Sequence, residues 1–229
     1  PEAAQVEFLK AVREHDVAKA KALLPAVGDL NKVYTDSTTM YGKTTLFLFA
    51  LEHGEKEPSE EDLEIVEAML KAGANPNVPP GRALAVVHRR GADIVKIMLE
   101  AGADVNHKGF NGSPLWWNWF YGEWYTDCVK LALAHGADLQ ARKSAGEPGS
   151  YSPLSGVGAV AMAAAGNSWN SVVMLIEAGA PHKGERMAAD GPQEEGMLLY
   201  DYVNMKLKSN KEPAEALVKA AALLEAAKD

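Results

Sequence analysis

The chain has 229 residues, 47% of them hydrophobic and 24% charged, and a formal net charge of −8. That balance fits an ordinary soluble globular chain rather than a disordered one, and no apolar run approaches the ~20 residues that a membrane-spanning helix needs. The acidic excess argues against a surface that tracks phosphates, so nucleic acid is excluded and another protein or a small polar molecule is the expected partner.

From the N-terminus, Val6 to Leu24 reads as a helix pair turning at Glu14 to Asp16, closed by Gly28-Asp29-Leu30-Asn31. Four copies of one ten-residue phrase follow: Ile65 to Ala74, Ile94 to Ala103, Cys128 to Ala137 and Ser171 to Ala180. Apolar positions recur within each at steps of three and four, which predicts a short helix with one buried face. Each ends in Gly-Ala, with the glycine (Gly73, Gly102, Gly136, Gly179) where a helix C-terminus requires a left-handed backbone. The glycines stand 29, 34 and 43 residues apart, a period at which each unit is one supersecondary element that cannot bury its face alone. Met197 to Ala227 reads as a final helix pair broken near Ser209 to Pro213.

A second signal precedes these helices: Gly42-Lys43-Thr44-Thr45-Leu46, Gly112-Ser113-Pro114-Leu115 and Ser150-Tyr151-Ser152-Pro153-Leu154. Ser113 and Ser152 are placed to cap a first helical turn, with Pro114 and Pro153 at its first position, where no amide donor is needed. With the Gly-Ala closures, these openings resemble the ankyrin repeat, from about Gln5 to about Ala227. The resemblance implies an all-α ankyrin-like solenoid of about six helix-turn-helix units with irregular fingers. It forms a single domain over residues 1–229, with an N-terminal cap over about 1–33, central units over about 34–181 and a C-terminal cap over about 182–229. The pattern is stretched at His53 to Asp62, Ala141 to Tyr151 and His182 to Gly196, while Val78 to Leu84 lacks the usual opening and predicts a tight, rigid finger.

Four of the five tryptophans fall within Leu115 to Tyr125. On an α-helix Trp116, Trp119 and Phe120 share one face and Trp117 and Tyr121 another, so one group is expected to stay exposed. Trp117, Phe120, Tyr121, Trp124 and Tyr125 are therefore the expected centre of a binding surface. The family's partner-facing positions, the fingers and the ends of the first helices, map onto Tyr34, Met40, Tyr41, Leu51, Glu52, Arg89, Arg90, Phe110, Phe120, Tyr121, Glu147 and Tyr151. The acidic run Glu55 to Glu64 reads first as a helix start, because Ser59 and Asp62 have capping-box spacing.

Little points to catalysis. Gly156-Val157-Gly158 lacks the preceding strand of a dinucleotide site, the six histidines are dispersed without zinc-ligand partners, and no nucleophile elbow or phosphate loop occurs. Catalytic residues, metals and cofactors are not expected. Cys128, the only cysteine, faces the core of its helix and has no internal disulfide partner. No basic or apolar targeting stretch opens the chain, which suits the cytoplasm, or the periplasm or exterior after loss of a signal peptide. The expected function is that of a non-enzymatic protein-interaction module using its concave face and fingers, as a scaffold or adaptor. The alternative is a bacterial immunity protein or inhibitor that neutralises a toxic enzyme.

Overall fold

The computed structural model describes residues 2–35, 42–52, 58–87, 90–109, 113–143, 156–187 and 196–227. The chain is mostly helical and divides into two compact units, Pro1–His107 and Lys108–Asp229. No helix among the described residues is long and apolar enough to cross a membrane.

The first unit contains α1 (Glu2–Arg13), α2 (Val17–Leu23), a hairpin of β1 (Tyr34–Thr35) and β2 (Lys43–Thr44), then α3 (Leu46–Glu52), α4 (Glu60–Lys71), α5 (Arg82–Val87) and α6 (Ala92–Glu100). Consecutive helices pair, and alternate helices also touch: α1 packs on α3 and α3 on α5, while α2 packs on α4 and α4 on α6. The result is two rows, each helix sharing its apolar face with its neighbours. α4 shows how the sequence encodes such an element. Ser59 and Asp62 form the expected capping box, with Asp62 N–H donating to Ser59 Oγ and Ser59 N–H to Asp62 Oδ2, both at 3.2 Å. Ile65, Val66 and Met69 are buried at helical spacing. Thr45 does the equivalent for α3, its Oγ1 accepting the Leu48 N–H at 3.1 Å.

The second unit repeats the scheme with one departure. It holds a 3-10 helix over Leu115–Phe120, a 3-10 turn over Glu123–Tyr125, α7 (Thr126–Ala134), α8 (Ala159–Ala165), α9 (Trp169–Glu177), α10 (Leu199–Ser209) and α11 (Glu215–Ala226). The Leu115–Phe120 helix packs on α8 and α8 on α10, while α7 packs on α9 and α9 on α11. Single antiparallel bridges, Lys108 with Pro114, Arg142 with Gly158 and Arg186 with Leu198, precede Leu115–Phe120, α8 and α10. Pro114 stands at the N-cap of its helix, one place before the expected position. The helix pairs expected at both chain ends are present, breaking at 14–16 and 210–214.

Every Gly-Ala phrase closes its helix in the same way. Gly73, Gly102, Gly136 and Gly179 have φ of 99°, 86°, 78° and 86°. In α4 the Gly73 N–H reaches back to Leu70 O and the Ala74 N–H to Met69 O, both at 3.0 Å, and α6, α7 and α9 repeat the pair. This double bond satisfies carbonyls that the helix end would otherwise leave bare.

Beyond the closures in the first unit runs a side-chain relay. Asn31 Nδ2 donates to Gly73 O at 2.9 Å while its Oδ1 accepts Asn75 N–H at 2.7 Å; Asn77 does the same to Gly102 O and Asp104 N–H, both at 2.8 Å. Each amide is held by the residue two before it, Asn31 N–H by Asp29 and Asn77 N–H by Asn75, both at 2.9 Å. Successive helix ends are thus tied by one side chain each.

Candidate partner-binding surface

A buried polar cluster in the first unit centres on Asp62, in the first turn of α4. Asp62, 6% exposed, accepts from Arg90 through Oδ2 at 3.1 Å and lies 2.9 Å from His15 Nδ1 through Oδ1. Arg90 also donates to the carbonyls of Leu51 at 3.0 Å and Ala50 at 3.4 Å, closing the C-terminal end of α3. One carboxylate therefore starts α4, orients His15 and neutralises the guanidinium that ends α3. Arg82 and Glu52 form a second, largely shielded pair at 2.7 Å.

These contacts revise several expected surface positions. Arg90 is buried and committed to Asp62 and α3, so it is not a partner contact. Leu51 is fully buried in α3, because that end of the helix faces the core. Glu52 is held by Arg82 rather than presented to solvent. Tyr34 is half-buried at the base of the hairpin, paired with Thr44, its hydroxyl accepting from Gln5 at 3.1 Å. Met40, Tyr41, Arg89, Phe110, Glu147 and Tyr151 lie outside the described residues.

In the second unit the aromatic segment is not the α-helix that the sequence reading assumed. Residues three apart eclipse one another in a 3-10 helix, so Leu115–Phe120 presents three ridges. Trp116 and Trp119 form one and Trp117 and Phe120 another, and all four are buried. Leu115, Asn118 and the following Tyr121 form the third, half-buried to exposed. Trp117 and Phe120 are therefore corrected from binding surface to core. Phe120 stands edge-on to Trp116 with centroids 5.3 Å apart, and Trp116 edge-on to Trp117 at 6.4 Å. The indole N–H groups of Trp116, Trp117 and Trp119 are buried and meet no acceptor among the described residues, a cost of about 1–3 kcal/mol for each donor left so.

What remains outside is the turn that follows. Tyr121 is 69% exposed, Trp124 is 93% exposed and Tyr125 is half-buried. Gly122, with φ of 91°, reverses the chain. Its carbonyl accepts from Ser168 Oγ at 3.1 Å. Glu123 reaches the start of α9, where Oε1 accepts the Asn170 N–H at 3.1 Å and Oε2 the Asn170 amide at 2.9 Å. Thr126 Oγ1 donates to Glu123 O at 2.7 Å. The carboxylate thus caps a helix distant in sequence and fixes the backbone beside Trp124. Sequence reasoning missed this clamp and the Asp62 cluster, whose partners lie 28 or more residues apart. The relay did leave a trace: Asp or Asn recurs after the closures at Asp29, Asn75, Asp104 and Asp138, with an amide residue two places on each time.

A cleft of about 230 Å³ is lined by His182, Lys183, Glu185 and Tyr200, with Leu198 and Leu224. Two of its polar side chains are engaged: Glu185 pairs with Arg142 and accepts the Gly158 N–H at 2.8 Å, and His182 Nδ1 bonds Ala180 O at 2.8 Å. No group of three His, Cys, Asp or Glu among the described residues can hold a metal ion. Cys128 is buried, and loss of hydration, reinforced by the nearby Asp127, pushes its thiol up to about 11. It is a packing residue rather than a nucleophile. No protein-family model matches the chain, and no curated protein is significantly similar to it.

Proposed function

We propose that this chain is built of ankyrin-type repeats and binds a partner protein, with no enzymatic activity of its own. Three features support the repeat reading: the two rows of paired helices within each unit, the glycine closures shared by α4, α6, α7 and α9, and the strand bridges that precede α3, α8 and α10. The observation that carries the binding reading is the Tyr121 and Trp124 pair, exposed on a turn whose backbone is pinned on both sides. Exposed aromatics on a fixed backbone bury large area on association with few rotatable bonds to order. Within the second unit the proposed surface is this turn, with Tyr125 beside it; Tyr34 stays a separate candidate in the first unit, and Met40, Tyr41, Arg89, Phe110, Glu147 and Tyr151 stay candidates outside the described residues.

Affinity capture from the native source with the intact chain as bait, followed by identification of the captured protein, tests the reading. A stoichiometric complex is expected. Loss of the partner's activity at a 1:1 ratio makes the chain an inhibitor of the immunity type; unchanged activity makes it an adaptor. Failure to capture any protein, together with measurable turnover of a small substrate by the purified chain, refutes the reading.

A further inference from the structure

We infer that the Tyr121–Trp124 turn is a docking site for an arginine-bearing segment of the partner, in which a guanidinium stacks on the Trp124 indole and pairs with the Asp127 carboxylate. The inference rests on the protein-binding reading and adds the chemistry of the ligand.

Trp124 is 93% exposed, and of the described aromatic side chains only Tyr121, at 69%, approaches it. Its neighbours decide what a bare indole can receive. Glu123 directly precedes it, Asp127 lies three residues on, and Lys130 pairs with Asp127 at 2.9 Å with both side chains largely in solvent. Glu123 is held by Asn170, so Asp127 is the carboxylate left to an incoming cation, on a chain of net charge −8. The Asp127–Lys130 pair is exposed and spaced i, i+3 on α7, so an incoming cation displaces it at little cost.

The negative face of an indole attracts cations, and tryptophan is the best ring for it. Guanidinium is favoured over ammonium because it is planar, weakly hydrated and able to stack while donating to a carboxylate at its edge. The acidic excess of the chain disfavours a nucleic acid, whose bases can stack on tryptophan but whose phosphates are repelled. Glu123 acts here as a positioning residue. Its carboxylate is spent on Asn170, and that bond keeps the backbone at Trp124 from relaxing towards the body of the unit.

The test uses the intact chain and a blocked hexa-arginine peptide, with hexa-lysine and hexa-glutamate as comparisons. The other four tryptophans are each at most 7% exposed, so emission quenched by acrylamide reports on Trp124. Hexa-arginine is expected to bind saturably at low salt and protect that emission. It should bind more tightly than hexa-lysine, and hexa-glutamate should not bind. By a direct binding assay Trp124→Ala should weaken hexa-arginine about tenfold, Trp124→Phe less, and Asp127→Asn about twofold. Melting temperature should stay unchanged in all three, because the altered side chains are exposed. Equal binding by Trp124→Ala, equal binding of hexa-glutamate, or insertion of Trp124 into zwitterionic vesicles without peptide binding overturns the inference. A natural partner captured equally well by wild type and Trp124→Ala overturns this site while leaving the protein-binding reading in place.

Discussion

Gly166→Ala is the sharpest probe of how the aromatic segment is held. Gly166 closes α8 with φ −78° and ψ 0°, a conformation open to alanine, so removing glycine's freedom in the unfolded chain would by itself stabilise by about 0.4–1 kcal/mol. The structure reverses that sign. A Cβ at this position falls 1.8 Å from the Phe120 carbonyl oxygen and 2.8 Å from its carbon. Restoring an ordinary separation requires a retreat of about 1.5 Å, given C···O contacts of ~3.3–3.6 Å. The Phe120 carbonyl also accepts the Gly122 N–H at 3.0 Å, and behind it stand four buried rings with no room to yield. Overpacking of about 1–3 kcal/mol and a weakened hydrogen bond of about 1 kcal/mol leave a net loss of roughly 2–3 kcal/mol. For a unit of this size that lowers Tm by roughly 10 °C. Thermal melts should show it, with a changed near-ultraviolet circular dichroism spectrum from the rings and little change in helical signal. A variant that melts at or above the wild-type temperature with an unchanged aromatic spectrum would show that Gly166 does not receive the Phe120 carbonyl.

Arg90→Ala should destabilise by about 3–5 kcal/mol in denaturant titration, because Asp62 is left buried without its cation; a loss below about 1 kcal/mol contradicts the cluster. Trp117→Phe should cost less than about 1 kcal/mol, since the smaller ring removes an unmatched donor along with its volume, whereas Trp117→Ala should cost about 3–5 kcal/mol. Asn77→Ala should cost about 1 kcal/mol, less than burial would demand, because water reaches the Gly102 carbonyl and Asp104 amide that it frees. The Cys128 thiol should resist alkylation at pH 8 until the chain unfolds. Its folded pKa of about 11 lies above that of an unfolded thiol, so alkali ionises the unfolded state first and stability falls from about pH 9 to pH 11. Cys128→Ala should remove that part of the pH dependence of the denaturation midpoint.

The helical units were legible because their signals are local. A Gly-Ala after an apolar helical stripe demands a left-handed closure wherever it occurs, and Ser59 with Asp62 defines a helix start within four residues. The aromatic segment was misread because the sequence was assigned a period of 3.6. With Pro114 before it, Gly122 after it and four large rings to bury, Leu115–Phe120 tightens to three residues per turn, which brings both tryptophan ridges inward. Arg90 and Leu51 were misplaced for another reason. Position within a repeat suggested the surface, while burial was decided by Asp62 and by the α3 packing, partners far along the chain. The exposed remainder, Tyr121 and Trp124, was identified correctly as outward-facing, but nothing in the sequence announced the Glu123 clamp.

The bridges at Lys108–Pro114, Arg142–Gly158 and Arg186–Leu198 enclose five, fifteen and eleven residues, yet each leads into its helical element in the same order. Tripling the enclosed length costs only about 1 kcal/mol of closure entropy. At the longest of them, Glu185 grips both Arg142 and the Gly158 amide, tying the two sides of the stem together. The register with which the chain enters α8 is therefore set by Arg142, Gly158 and Glu185 rather than by how many residues stand between them.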